Sequence, residues 1–344
     1  MAGWIANCLM NIIILDDYQD AVRKLQCASK LDGLSAKVFT NTVKGTGQLA
    51  VRLRDAEVLV LIRERTHFPR SLLEKLPKLR LICQTGPVGS HIDLEACTRQ
   101  GIAVAEGMGS PAAPAELAWA LVMAAMRRLP QYIGNLKHGA WQQSGLKSAS
   151  MPVNFGLGMR LHGKTLGIWG YGRVGQLVAS YGKAFGMHVT VWGSEASRAQ
   201  AQADGCVPAP SREAFFEACD VLSLHLRLTD DTRALITLDD LSRMKPTALL
   251  VNTSRAELIA DSALVAALNR GRPGMAAVDV FESEPILQGH PLLRLENAVC
   301  TPHIGFVEQD NYEQLFGAAF DNLLNFMAGT PTNIINPEAL KVQH

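Results

Sequence analysis

A chain of 344 residues, 48% hydrophobic and 19% charged, can build about two domains with buried cores, which excludes a disordered segment or a stapled mini-protein. Lys and Arg number 33 against 32 Asp and Glu, a formal charge of +1, so no global field draws the chain to nucleic acid or anionic lipid, and its expected partner is a small molecule or another protein. Seven cysteines with no C-x-x-C pair argue against a disulfide framework and a zinc site, so no metal is expected and a reducing cytoplasm is the expected home.

Residues 1–9 read as a short extension ahead of a strand, with Met10 a candidate start. Ile12–Leu15, Lys37–Thr40, Val58–Ile62, Leu81–Gln84 and Ile102–Val104 are short β-branched or apolar runs separated by amphipathic stretches. That alternation predicts parallel strands buried on both faces. Ser110 and Pro111 are an N-cap and N1 pair for a helix reaching Arg128, which is apolar almost all round apart from Glu116. Such a helix has to be covered by domain contacts or by a second subunit, and a homodimer is expected. Its apolar run, Leu117–Met126, is closed by Arg127 and Arg128 and falls short of the ~18 residues of a membrane span, so no membrane partner is expected.

Ser144–Gly163 is the most loop-like stretch, an excursion rather than a boundary. A second strand series follows at Leu166–Trp169, Val189–Trp192, Val221–Leu224, Leu249–Val251, Ala277–Val280 and Ala298–Thr301. Thr237 and Asp240 form a capping-box pattern before a helix stopped by Pro246, and Asp261 precedes a helix ended by Gly271. The fold class is therefore α/β, with two Rossmann-like or flavodoxin-like domains, each an open parallel sheet.

Gly170-Tyr171-Gly172-Arg173-Val174-Gly175 follows a buried strand and opens a helix with apolar residues at Val174, Leu177, Val178 and Tyr181. In that β-α-β setting G-x-G-x-x-G reads as a dinucleotide loop: Gly170 for the turn, Gly172 for close approach of pyrophosphate, Gly175 for helix packing, and a helix N-terminus for the negative charge. The acidic residue expected to bind the adenosine ribose is missing, since Trp192 is followed by Gly193, Ser194 and only then Glu195. Ser194, Ser197 and Arg198 would tolerate a 2′-phosphate, so NAD is the expected cofactor with NADP open.

Three further segments end predicted strands: Val251-Asn252-Thr253-Ser254-Arg255, Asp279-Val280-Phe281-Glu282-Ser283-Glu284-Pro285 and Thr301-Pro302-His303-Ile304-Gly305. With the glycine loop and Leu161-x-Gly163-Lys164-Thr165 before it, this pattern resembles the D-isomer-specific 2-hydroxyacid dehydrogenase family over nearly the whole chain. The resemblance implies Arg255, Glu284 and His303 as catalytic residues. Oxidation of a 2-hydroxy acid independently requires a base beside the hydroxyl, for which His303 is suited, a carboxylate to orient it, and an arginine fork for the substrate carboxylate. Singly, Arg255 could cap a strand end, Glu284 could sit in an acidic turn, and His303 could be a core histidine.

The resemblance further implies that Asp279 binds the nicotinamide carboxamide while Thr253 and Gly305 line its ribose. It implies a discontinuous substrate domain, 1–107 with 308–344, a cofactor domain at 108–307, and an active-site cleft between them. Arg63 stands where the family places a substrate-cleft arginine, and Gly86 and Val88 fall in its carboxylate-binding turn. Two departures stand out: the family's G-V-G reads Gly86-Pro87-Val88-Gly89, where Pro87 has no N–H, and its His-x-Pro reads His225-Leu226-Arg227, which sets an arginine near the adenosine. The expected substrate is a small 2-hydroxy or 2-keto acid such as glyoxylate, hydroxypyruvate or pyruvate. Alternatives on the same fold are a D-3-phosphoglycerate dehydrogenase, with Arg63 and Arg65 as the phosphate clamp, an enzyme of formate- or phosphite-type oxidation, and a nucleotide-sensing corepressor. The short stretch after Gly305 disfavours the phosphoglycerate reading, because many such enzymes append a regulatory domain.

Overall fold

The computed structural model describes residues 10–146 and 151–342, so the expected extension at 1–9, Cys8 and residues 147–150 of the Ser144–Gly163 excursion lie outside the described residues. The chain divides into two compact units, Met1–Ser110 with Val307–His344, and Pro111–Phe306.

The first unit is built on β1 (Ile12–Ile14), β2 (Ala36–Val38), β3 (Val58–Ile62), β4 (Leu81–Thr85) and β5 (Ala103–Ala105). All are parallel, in the order β2-β1-β3-β4-β5. Central strands β3 and β4 are buried at every position, as continuous apolar runs demand when both faces are covered. Helices α1 (Thr46–Leu53), α2 (Arg70–Leu73) and α3 (Leu94–Arg99) flank the sheet, and Asp93 caps α3 by accepting the Ala96 N–H at 2.9 Å. The C-terminal segment completes this unit: helix Gln309–Met327 buries Phe316, Phe320 and Leu323, and Asn336 accepts the Val104 N–H at 2.7 Å on edge strand β5. Each such aromatic or aliphatic side chain contributes roughly 1.5–3 kcal/mol by leaving water.

The second unit opens with α4 (Ala112–Met126) and α5 (Leu129–Lys137). Its sheet contains β6 (Thr165–Trp169), β7 (His188–Trp192), β8 (Val207–Pro208), β9 (Val221–Leu224), β10 (Leu249–Asn252), β11 (Met275–Val278) and β12 (Ala298–Cys300), interleaved with α6 (Arg173–Ala184), α7 (Glu195–Ala203), α8 (Arg212–Ala218), α9 (Leu238–Arg243) and α10 (Ala263–Asn269). The order β12-β11-β10-β9-β6-β7-β8 is parallel throughout and reverses direction between β6 and β9, the place where open α/β sheets hold ligands. One apolar layer joins Val122, Ile168, Val178 and Val251, and the other joins Phe215, Phe216, Leu222 and Leu250. Thr237 and Asp240 form the expected capping box on α9.

Two local readings change. The N-cap of α4 is Pro111 without a side-chain cap, and the Ser110 N–H donates to Asn311 Oδ1 at 3.0 Å. The helix also stops early, at Met126, and Arg128 turns the chain with a left-handed φ of 59° before Leu129-Pro130 starts α5. Arg128 is fully buried, donates to the Ala125 carbonyl at 2.6 Å and the Phe155 carbonyl at 3.0 Å, and stacks on the Phe155 ring, while burial pushes its guanidinium down to about 10. Of the two coverings expected for α4, it takes the first: it is covered largely by its own unit, with Ala118, Leu121, Val122 and Ala125 buried. The uncovered apolar stripe lies instead on α5, where Leu129, Ile133 and Leu136 are each about half exposed at helical spacing.

Candidate active site

The glycine loop lies at the carboxyl end of β6, at the reversal of strand order. Gly170 holds φ 100°, and a β-carbon there would collide with the His225 carbonyl, so the turn accepts only glycine. A β-carbon on Gly175 would strike the Gly170 carbonyl, which explains the close packing of α6. At Gly172, the N-cap of α6, it would meet nothing within 4 Å. An open backbone cradle at the N-terminus of a twelve-residue helix fits a dinucleotide pyrophosphate. Arg173 and Val174 form the first turn of α6, with Arg173 exposed. Tyr171 points the other way: its ring is buried and its hydroxyl donates to Asp204 at 3.1 Å, so only its main chain belongs to the loop.

Arg255, Glu284 and His303 stand on the loops after β10, β11 and β12, three neighbouring strands. Main-chain bonds tie those loops together, from the Asp279 N–H to the Asn252 carbonyl at 3.0 Å and from the Thr301 N–H to the Val278 carbonyl at 2.9 Å. His303 Nδ1 and Glu284 Oε2 are 2.5 Å apart, and both side chains keep roughly 30% of their surface, at 28% and 31%. Glu284 Oε1 accepts the Phe281 N–H at 2.9 Å, so the carboxylate is held while it holds the imidazole. The Phe306 ring meets the imidazole edge to face at 5.7 Å. Arg255 is half-buried and follows Asn252, whose buried amide donates to the Arg255 carbonyl at 2.8 Å and accepts the Ser254 N–H at 3.0 Å. Thr253 is half-buried between them.

Asp279 is committed to the His303 turn. Its Oδ1 accepts the Thr301 hydroxyl at 2.7 Å and the Ile304 N–H at 2.8 Å, and Oδ2 accepts the Gly305 N–H at 2.8 Å. Burial pushes the Asp279 carboxyl above the usual carboxylate range, against the opposing pull of these hydrogen bonds and of His303. His303 itself has a left-handed φ of 52°, a backbone conformation that the pinned turn imposes on a non-glycine residue. Asn252 and Thr301, which sequence reasoning quoted without a role, are parts of this scaffold. Their signal was a polar residue at the end of a buried strand.

On the other side of the glycine loop, Ser194 caps α7 by accepting the Ser197 N–H at 3.3 Å, after Gly193. Arg198 packs over the Trp192 ring at 5.0 Å, and Arg227 is exposed on the loop after β9. His225 Nε2 lies 2.9 Å from the Ser223 hydroxyl, and burial lowers its imidazole to about 4.

In the first unit Arg63, on the loop after β3, also has a left-handed φ of 52°, and its guanidinium lies directly against Gly86 after β4. The Val88 N–H donates to Glu106 Oε2 at 3.0 Å. Arg65 is drawn away from this turn, since it donates to the Asp16 carbonyl at 2.6 Å and stacks on Tyr18.

Residues 119–305 match the family model described as D-isomer specific 2-hydroxyacid dehydrogenase, NAD binding domain. The chain belongs to that family. It is an NAD-dependent oxidoreductase by that membership, with a glyoxylate reductase of Aeropyrum pernix 38% identical over 86% of this chain and 87% of that one. A solved oxidoreductase from Ralstonia solanacearum, named provisionally as a D-3-phosphoglycerate dehydrogenase, is 64% identical with a TM-score of 0.95 over 96% and 98% of the two chains. A D-lactate dehydrogenase from Aquifex aeolicus, solved with NAD and lactic acid, is 28% identical with a TM-score of 0.73 over 95% and 99%.

Proposed function

We propose that this family member interconverts a small D-2-hydroxy acid and its 2-keto acid with His303 as acid and base, Glu284 as its partner and Arg255 as the carboxylate-binding fork. The observation that carries the reading is the 2.5 Å contact between Glu284 Oε2 and His303 Nδ1. It leaves Nε2 as the nitrogen that serves the substrate oxygen. When bound, the nicotinamide supplies the hydride to C2 of the keto acid, or accepts it from the hydroxy acid. His303 gives its Nε2 proton to the carbonyl oxygen in reduction and takes the hydroxyl proton in oxidation, and Glu284 favours the imidazolium that must exist between the two. Arg255 fixes the substrate carboxylate through two parallel N–H donors, a geometry that lysine lacks.

The cofactor would be held by the main chain of Gly170–Gly175, by Ser194, His225 and Arg227 toward the adenosine, and by Thr253, Asp279 and Gly305 toward the nicotinamide. NAD follows from the family, and Ser194, Ser197, Arg198 and Arg227 support use of NADP as well. Residues 1–107 with 308–344 would form the substrate domain and 108–307 the cofactor domain. The half-exposed stripe on α5 supports a homodimer, and the unpaired thiols of the described cysteines support a cytoplasmic setting. A panel of 2-keto acids assayed with NADH and NADPH tests the reading: turnover of small keto acids is expected, and none across the panel would refute it.

A further inference from the structure

The anchor of Glu284 lies on its own loop: Oε1 accepts the Phe281 N–H at 2.9 Å, three residues earlier, so the carboxylate is only as well placed as Phe281. Phe281 is buried in the apolar layer that contains Leu250 and Leu264, and its ring meets the His290 imidazole edge to face at 5.3 Å. His290 stands at the far end of the loop. Its Nδ1 accepts the Leu292 N–H at 3.3 Å, which caps the 3₁₀ turn Pro291–Arg294, and its Nε2 lies 3.3 Å from Glu282 Oε2. Because Nδ1 accepts a hydrogen bond, the ring is neutral in this arrangement, with its proton on Nε2 and donated to Glu282. Leu292 is buried in the same layer as Phe281. One imidazole thus joins the start of the loop, at Phe281 and Glu282, to its end at Leu292, and Glu284 lies between.

We infer that His290 is a positioning residue for proton transfer: through Phe281 and Glu282 it holds the loop that carries Glu284, and Glu284 in turn holds His303. This rests on the proposed 2-keto acid reduction with His303 as the acid. Glu284 and Asp279 both bear on the His303 imidazole, and Asp279 is fixed by its own bonds to Thr301, Ile304 and Gly305. Loosening the loop after β11 therefore acts through Glu284. A carboxylate that spends less time against Nδ1 stabilises imidazolium less, so His303 gives up its proton at lower pH and is less often the acid that reduction needs. Since His290 is neutral, its removal takes no charge from the site, and such a change reports the placement of Glu284 rather than a lost field.

Two variants separate positioning from capping. His290→Ala removes the cap, the contact with Phe281 and the bond to Glu282. His290→Asn keeps an acceptor for the Leu292 N–H, in a residue that caps well, but loses the ring and its reach to Glu282. The readouts are Tm, steady-state kinetics, and titration of the His303 imidazole by NMR, its signal identified by its absence from His303→Asn. Both variants should move the His303 titration to lower pH by about half a unit or more, since a contacting opposite charge is worth roughly 1–3 units. Both should lower kcat for glyoxylate and hydroxypyruvate severalfold at neutral pH, with cofactor affinity unchanged. His290→Asn should regain most of the Tm lost in His290→Ala without regaining the titration, whereas a purely structural cap would be rescued in both. An unchanged His303 titration in His290→Asn would overturn the inference, as would a wild-type kcat in a variant whose titration has moved. The titration needs no substrate, so it tells a failure of His290 apart from a failure of the functional reading. No turnover of any 2-keto acid by the wild-type enzyme refutes that reading, and the catalytic role of His290 with it.

Discussion

Glu284 joins His303 to the loop after β11: one carboxylate oxygen meets His303 Nδ1 at 2.5 Å and the other accepts the Phe281 N–H at 2.9 Å. The imidazole is thus oriented by a group that is itself oriented. Glu284→Gln keeps the size but removes the charge that stabilises imidazolium, and kcat for keto-acid reduction should fall about 10²-fold with cofactor affinity little changed. Steady-state kinetics with a fluorescence titration of the cofactor checks this. An unchanged kcat would remove Glu284 from the proton path.

Asp279 gives a separable test of the scaffold. Asn at this position can still accept the Thr301 hydroxyl and the Ile304 N–H, but its amide would oppose the Gly305 N–H, donor against donor. Losing a hydrogen bond to a buried charged group costs about 1.5–3 kcal/mol, so Asp279→Asn should lower Tm by roughly 3–8 °C and reduce kcat as the His303 turn relaxes. A variant with wild-type Tm and kcat would contradict the pinned turn.

Cofactor preference follows from what surrounds Gly193. With Ser194, Ser197 and Arg198 at the start of α7 and Arg227 on the loop after β9, discrimination against NADPH should be weak, and Arg198→Ala with Arg227→Ala should raise the KM for NADPH more than for NADH. A wild-type preference for NADH above ~10³ in kcat/KM, about 4 kcal/mol, would mean that Glu195 binds the ribose instead.

The strands were legible because both sheets are parallel and doubly covered: runs such as Val58–Ile62 and Val221–Leu224 leave no other reading and appear with those bounds. Two-residue β8 was not legible, since it is defined by pairing Val207 with Thr190 and carries no pattern of its own. The end of α4 was overrun because a left-handed Arg128 is held by a bond from its guanidinium to the Phe155 carbonyl, distant in sequence, that no local signal announces. In the site, the Glu284 and His303 motifs were readable by type and order. The commitment of Asp279 to the His303 turn and of Glu106 to Val88 was not, because both depend on side chains meeting across loops.

The same shift moves the argument for assembly from α4 to α5. Leu129, Ile133 and Leu136 form an exposed stripe one helix long, and a homodimer should be seen by light scattering at micromolar concentration. Ile133→Asp should weaken it. A monomeric wild-type protein would contradict this assignment of the stripe.

The central claim is that His303 moves the proton while hydride is exchanged at C2. Its most direct test is the kcat of His303→Asn against wild type for reduction of glyoxylate and hydroxypyruvate, with cofactor binding measured in parallel. A fall of ~10²–10⁴ in kcat with cofactor affinity within a few-fold is the expected result. Near-normal turnover in a folded His303→Asn protein would contradict the account.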